Sequence, residues 1–188
     1  MFVRNWMSSP VVVLPTITPV VDALEYMSVK KIRRVPVLHD GVLAGIVVRS
    51  DLESAVSRQP GLDRRSRITL GDIMTKAVVT VAPDDTLEHA SQVMLENQVA
   101  GLPVVDGPRL AGMITESDIF EAFNEIMGTA ESGARIVMTV PGGGDLLDSL
   151  RKRLKGLSIR SLATYRADDG GDWEVVVRVC GRTPVAVP

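Results

Sequence analysis

Apolar residues in this chain fall into short runs and one-sided stripes, and the same order of runs and stripes occurs twice. Residues 10–14, Pro-Val-Val-Val-Leu, form a β-branched run that predicts a buried strand. Thr18 followed by Pro19 reads as an N-cap with proline at the first helical position. Val20, Leu24 and Met27 then recur at i, i+4 and i+7, giving that helix one apolar face. Residues 35–38 and 43–48 predict two strands joined at Asp40-Gly41, a strong hairpin signal. A helix is expected from about Ser50, with Glu53 placed to complete a capping box. The grammar repeats in order: a strand over 78–81, a capping box of Asp85 and Glu88 opening a helix to about Glu96, and strands over 102–105 and 110–115 around Asp106-Gly107-Pro108. A last helix, from about Ser117 to Met127, is predicted to expose Glu121 and Glu125 and to bury Ile119, Phe120, Phe123 and Ile126.

The two series are copies of one unit at a constant offset of 67 residues. Aligned without a gap, positions 7–56 and 74–123 share 13 identities over 50 positions. Met7 matches Met74, Pro36-Val37 matches Pro103-Val104, Leu43-Ala44-Gly45 matches Leu110-Ala111-Gly112, and Ser50-Asp51 matches Ser117-Asp118. A duplicated supersecondary unit must pack against its twin to bury its apolar face, which creates two symmetry-related clefts and directs the search for function to them. The expected organisation is repeat one over 6–58, a linker over 59–69, repeat two over 70–127 and a separate unit over 134–181.

Outside the repeats, the linker holds Pro60-Gly61 and then Arg64, Arg65 and Arg67, read as a solvated connection with an anion site as the alternative. Small polar residues from Gly128 to Gly133 mark a second boundary. Beyond it, residues 135–140 predict a strand and Pro141-Gly142-Gly143-Gly144 a turn. Asp145 then caps a helix that turns Leu146, Leu147, Leu150 and Leu154 inward and Arg151, Lys152, Arg153 and Lys155 outward. Gly156 stops that helix, and strands over 158–165 and 173–180 follow around residues 167–171, with a frayed Pro-Val-Ala-Val-Pro end. A βαββ unit of this length is marginal alone and is expected to lean on the repeats or on a second subunit.

Composition narrows the function classes. The 188 residues are 45% hydrophobic and 23% charged with a net charge of −2, an ordinary soluble balance with no global field for nucleic acid. Aromatics at 4% further weaken base stacking, although the basic helix at 151–155 keeps a DNA-binding reading alive. The one cysteine, Cys180, suits a reducing cytoplasm, and neither a signal-peptide pattern nor a membrane-length apolar run is present. No catalytic constellation emerges: His39 and His89 occupy non-equivalent places, and Cys-x-x-Cys, His-Glu-x-x-His and P-loop patterns are absent. The expectation is a non-enzyme without metal ligands. Gly142-Gly143-Gly144 ahead of a helix could cradle an anion, but no Lys-Ser/Thr follows, so a flexible turn is the simpler reading.

One repeated motif carries chemistry. Gly112-x-x-Thr115-x-Ser117-Asp118 takes a strand into a helix N-terminus, where free N–H groups and the helix dipole favour phosphate. The Thr115 hydroxyl adds a donor, and the Asp118 carboxylate can accept from two ribose hydroxyls. Helix capping alone would select the same residue types, so both roles stay open. In repeat one the motif reads Gly45-x-x-Val48-x-Ser50-Asp51, which removes the hydroxyl at Val48.

These residues resemble the cystathionine β-synthase (CBS) domain, and two in tandem resemble a Bateman module. The resemblance rests on Met7-Ser8 and Met74-Thr75, Val35-Pro36-Val37 and Leu102-Pro103-Val104, and the two Gly-to-Asp segments, and it covers residues 6–127. The tail is similar to an ACT-type domain lacking its second helix and last strand, and the combined order resembles accessory proteins of acetoin utilisation. The resemblance implies an α+β fold and a non-catalytic, homodimeric regulator, acting on a partner enzyme by binding an adenine nucleotide (AMP, ADP or ATP) or S-adenosylmethionine in the clefts. By family geometry one cleft joins Thr115, Ser117 and Asp118 with Val12 and Ile32. The other joins Ser50 and Asp51 with Val79 and Val99, and gains Arg33 and Arg34 as phosphate contacts or as merely solvated side chains. Repeat two carries Ala100 and Gly101 there, so the first cleft is expected to lack those cations. The rival readings are a dimer scaffold with vacant clefts and an amino-acid sensor working through the tail at Pro141-Gly142.

Overall fold

A computed structural model describes residues 1–58, 68–129, 133–167 and 171–180. The linker arginines and the last eight residues lie outside the described residues. The chain is α+β and divides into two compact units, Met1–Ile119 and Phe120–Pro188.

In the first unit, repeat one comprises β1 (Leu14–Pro15), α1 (Val20–Lys30), β2 (Arg34–His39), β3 (Val42–Val48) and α2 (Arg49–Arg58). The strand expected over 10–14 shrinks to β1, which pairs in parallel with β2 through Leu14 and Val37. β2 and β3 pair antiparallel around Asp40-Gly41, whose φ of 49° and 81° are the two left-handed positions of a tight hairpin turn. Repeat two comprises α3 (Leu70–Ile73), α4 (Leu87–Asn97), β4 (Gly101–Asp106), β5 (Arg109–Thr115) and α5 (Glu116–Ile126). Its expected strand over 78–81 is reduced to a single bridge between Val81 and Val104, the counterpart of the Leu14–Val37 pair. The 67-residue offset extends to backbone detail: Lys31 and Gln98 both close their helices in the left-handed region, and both hairpins carry a bulge at the same point.

The two repeats exchange their leading segments. Thr75 exchanges two 3.0 Å backbone hydrogen bonds with Ile46 of β3, and Ser8 bonds Met113 of β5 at 2.9 and 3.1 Å. The N–H groups of Val3 and Arg4 donate to the carbonyls of Asp85 and Pro83, while that of Leu70 donates to Thr18. Leu70, fully buried, completes the core that Val20, Met27, Val35, Val37, Val47 and Leu52 form in repeat one, and Ile73 and Met74 pack against it. The interface between repeats is therefore built into each repeat's own core.

Helix starts depart from expectation in three places. Pro19 rather than Thr18 is the N-cap of α1, because the Thr18 carbonyl is engaged by Leu70. Thr86 rather than Asp85 caps α4, its hydroxyl accepting from His89 N–H, while Asp85 accepts from Ala82 N–H. α2 begins at Arg49, so Ser50 lies inside the helix and Glu53 pairs with Arg49 at 2.7 Å instead of closing a capping box.

α5 differs from expectation in burial: Ala122 is its buried residue, and Phe120, Phe123 and Ile126 are 65%, 55% and 52% exposed. An apolar stripe records that a face favours burial, not what covers it.

The second unit carries β6 (Gly133–Val140), α6 (Leu146–Arg153), β7 (Ile159–Arg166) and β8 (Trp173–Cys180) in a sheet of order β6-β8-β7, antiparallel throughout. Asp145 caps α6 by accepting from Leu147 and Asp148 N–H groups, and Gly156 follows the helix at φ 85°. Leu146, Leu150 and Leu154 pack on the sheet face formed by Val140, Val175, Val177 and Val179. Leu147, expected inside, is 75% exposed, because one residue past Leu146 the helix has turned its side chain about 100° away from that face. The outward cations Arg151, Lys152, Arg153 and Lys155 are exposed as expected.

Candidate functional site

Two of the cavities in the first unit lie where one repeat's strand-to-helix turn faces the other repeat. The first, of about 320 Å³, is lined on one side by Pro10, Val11, Val12 and Ile32 and on the other by Met113, Thr115, Glu116 and Ser117. Ser8, Arg33, Arg34 and Ala100 complete it. The second, of about 430 Å³, is lined by Arg33, Arg34, Val48, Arg49, Ser50, Glu53 and Gln98.

The first cleft takes its shape from two departures from regular structure. Val11 and Val12, expected in a strand, have no strand partners ahead of β1 and line the cleft. Thr115 ends β5 and immediately precedes α5, putting Glu116 and Ser117 in the first helical turn, where backbone N–H groups lack intrahelical acceptors. Asp118 turns back on this start: its Oδ2 accepts from Thr115 N–H at 2.7 Å and from the Thr115 hydroxyl at 2.6 Å. That is a capping interaction, and Asp118 does not line the cavity; its Oδ1 retains acceptor capacity.

The arginines change the electrostatic picture. Arg33 and Arg34 line both cavities, so the first cleft holds the cations that sequence reasoning placed only in the second. They lie on the segment entering β2, between the two strand-to-helix turns, and the Arg33 carbonyl accepts from Arg49 N–H at 2.9 Å. Arg34 has its pKa lowered, first by burial and then by the like charge of Arg33, while Glu116 opposes the shift. It stays cationic, since a guanidinium does not deprotonate in proteins.

Of the residues expected at a site, Val12, Ile32, Thr115, Ser117, Arg33 and Arg34 come together in the first cleft, and Ser50, Arg33 and Arg34 in the second. Asp51, Val79 and Val99 line neither cavity. Asp51 is exposed in the first turn of α2, and Val99 donates its N–H to Met94 at the end of α4. Sequence reasoning missed Ser8, Pro10, Val11, Met113 and Glu116 in the first cleft and Arg49, Glu53 and Gln98 in the second. Gln98 carried no local signal: it is the left-handed cap of α4, and its place in the second cleft follows from the packing of the repeats.

The two clefts differ in chemistry. The first pairs an apolar wall with hydroxyls, a helix N-terminus and two guanidinium groups, which suits a flat apolar ring carrying an anionic tail. The second has only Val48 as an apolar side chain, and its Arg49 is already neutralised by Glu53.

The chain is similar to several solved structures. The crystal structure of the CBS domain pair of protein MJ0100, in complex with 5′-methylthioadenosine and S-adenosyl-L-methionine, superposes with a TM-score of 0.59 at 25% identity, covering 70% of this chain and 98% of that one. CBSX2 in complex with AMP gives 0.57 at 29% identity, covering 66% and 97%. A Vibrio cholerae protein named for acetoin utilization (AcuB) gives 0.60 at 29% identity, covering 71% and 98%. The chain spans 91% of the length of one curated relative and 20% of another. Residues 3–58 and 70–125 each match the family model of the CBS domain, together more than half of the chain. The chain belongs to the CBS domain family and carries two copies in tandem.

Proposed function

We propose that this protein is a regulatory module whose first cleft binds an adenine nucleotide or S-adenosylmethionine. The reading rests on one observation: Val11, Val12 and Ile32 form an apolar wall facing Thr115, Ser117 and the start of α5, with Arg33 and Arg34 in the same cavity. The adenine ring stacks against the apolar wall. A phosphate takes the guanidinium groups at the positive end of the α5 dipole, a charge-assisted arrangement that a neutral nucleoside lacks. Asp118 holds Thr115 at the helix start and offers Oδ1 toward a ribose hydroxyl. The adenosine compounds and AMP bound by the MJ0100 pair and CBSX2 support this ligand class.

Occupation of the first cleft links repeat one to repeat two, so binding favours the arrangement of repeats in which both walls engage the ligand. That change is the signal passed to a partner enzyme or a second subunit. The exposed Phe120 and Ile126 of α5 suit a homodimer in which the signal crosses between copies. Among the described residues no helix is long and apolar enough to cross a membrane.

A thermal-shift panel of AMP, ADP, ATP, S-adenosylmethionine and adenosine tests the reading. A ligand at a hundred times its Kd stabilises the fold by about 2.7 kcal/mol, a shift of several degrees. At least one phosphorylated compound or S-adenosylmethionine is expected to raise the Tm. A flat response to all five defeats the reading and leaves a structural dimerisation module.

A further inference from the structure

The second unit carries a pair of like charges placed side by side. In the register of its sheet, Arg135 of β6 lies directly opposite Arg178 of β8, and Arg178 lies directly opposite Ser161 of β7. The three residues form one row on the face away from α6. Like charges directly opposite on a sheet repel, and among the described residues neither guanidinium has an ion-pair or hydrogen-bond partner.

A cavity of about 210 Å³ lies over this row, closed by the end of α5. Gly128, at φ 61°, ends the helix with N–H bonds from Gly128 to Glu125 and from Thr129 to Asn124, a Schellman closure. A β-carbon at Gly128 would stand 2.9 Å from Cγ of Arg160 and 3.3 Å from Cδ of Arg178, so glycine lets the helix end approach both arginine stems. Phe123, Met127 and Val176 supply apolar walls. The nearby hydroxyls are committed inside the chain: Ser161 donates to the Met127 carbonyl at 2.9 Å, and Thr129 donates to Asn124. The free donors of the cavity are therefore the two guanidinium groups.

We propose that this cavity is a binding site for a small organic anion, with an oxyanion between Arg135 and Arg178 and an apolar body against Phe123, Met127 and Val176. The volume, about that of seven water molecules, restricts the ligand to a short-chain acid or a compound of similar size. The site is independent of the clefts in the first unit, and its failure would leave the nucleotide reading untouched.

Titration of the full chain, followed by backbone amide NMR, tests the site with 4-methylpentanoate as probe, 4-methylpentan-1-ol as its uncharged twin and inorganic phosphate as the bare anion. The acid is expected to give saturable shifts at Ser161, Val176 and Arg178, with the alcohol and phosphate each roughly tenfold weaker or worse. Arg178→Gln and, separately, Arg135→Gln should each reduce binding of the acid by roughly tenfold without lowering the Tm, since each relieves the repulsion. Acid and alcohol binding alike would overturn the proposal, as would phosphate binding as tightly as the acid. Absence of saturable shifts in the native chain, or undiminished binding by folded Gln variants, would overturn it equally.

Discussion

Single residues decide how closely the repeats interlock. A β-carbon on Gly112 would stand 2.7 Å from Sδ of Met7 and 2.8 Å from the Ser8 carbonyl; at Gly45 the obstacles are Met74 and the Thr75 carbonyl. Methionine can move aside, but the carbonyls belong to the backbone bonds that join the repeats. Gly112→Ala is therefore expected to cost about 1–3 kcal/mol in urea unfolding. Gly143→Ala, with open space around the added carbon, should stay within about 0.5 kcal/mol. Asp72 sets a pH dependence. Thr69 donates its N–H at 2.8 Å and its hydroxyl at 2.9 Å to that carboxylate, and these bonds, the backbone one first, hold the Asp72 pKa below its ordinary value. A carboxyl whose folded pKa is depressed stabilises the fold at pH above its unfolded value of about 3.9, and that contribution disappears as the pH falls through the folded value. The stability difference between the native chain and Asp72→Asn should accordingly be present at neutral pH and vanish in acid.

At the scale of elements, the exchange of leading segments makes the pair the folding unit. Leu70 is fully buried in a core otherwise drawn from repeat one, so Leu70→Ala is expected to cost about 2–5 kcal/mol, measured by chemical denaturation. A fragment of residues 1–58, which lacks Leu70, Ile73 and Met74, should show no cooperative unfolding transition by circular dichroism. The elements that were legible in the sequence are those specified by local chemistry. The Asp40-Gly41 hairpin, the Val20-Leu24-Met27 face and the Asp145 cap each depend on a few neighbouring residues. What was not legible depends on partners distant in the chain. Residues 10–14 have the composition of a strand but find a strand partner only at Leu14, and the freed Val11 and Val12 become the wall of a cleft. Thr18 looks like a cap until Leu70 occupies its carbonyl. The same distinction governs the site. Thr115 and Ser117 were found through the repeated motif and Val12 and Ile32 through the family resemblance, whereas the shared position of Arg33 and Arg34 follows from the way the two repeats face each other.

For the whole molecule, duplication produced two clefts of unequal chemistry around one pair of arginines. The first unites an apolar wall, a helix start and both cations; the second keeps the cations but has Val48 as its single apolar residue. A ligand combining an aromatic ring with phosphate therefore favours the first cleft. The most direct test is a calorimetric titration of AMP and of adenosine into the native chain and into the Arg33→Ala/Arg34→Ala double variant. The account predicts saturable AMP binding to the native chain and a loss of roughly ten- to a hundredfold in the variant, the scale of charged hydrogen bonds, with adenosine affinity nearly unchanged. Absence of saturable AMP binding, or AMP binding equally tightly to a folded double variant, would contradict it.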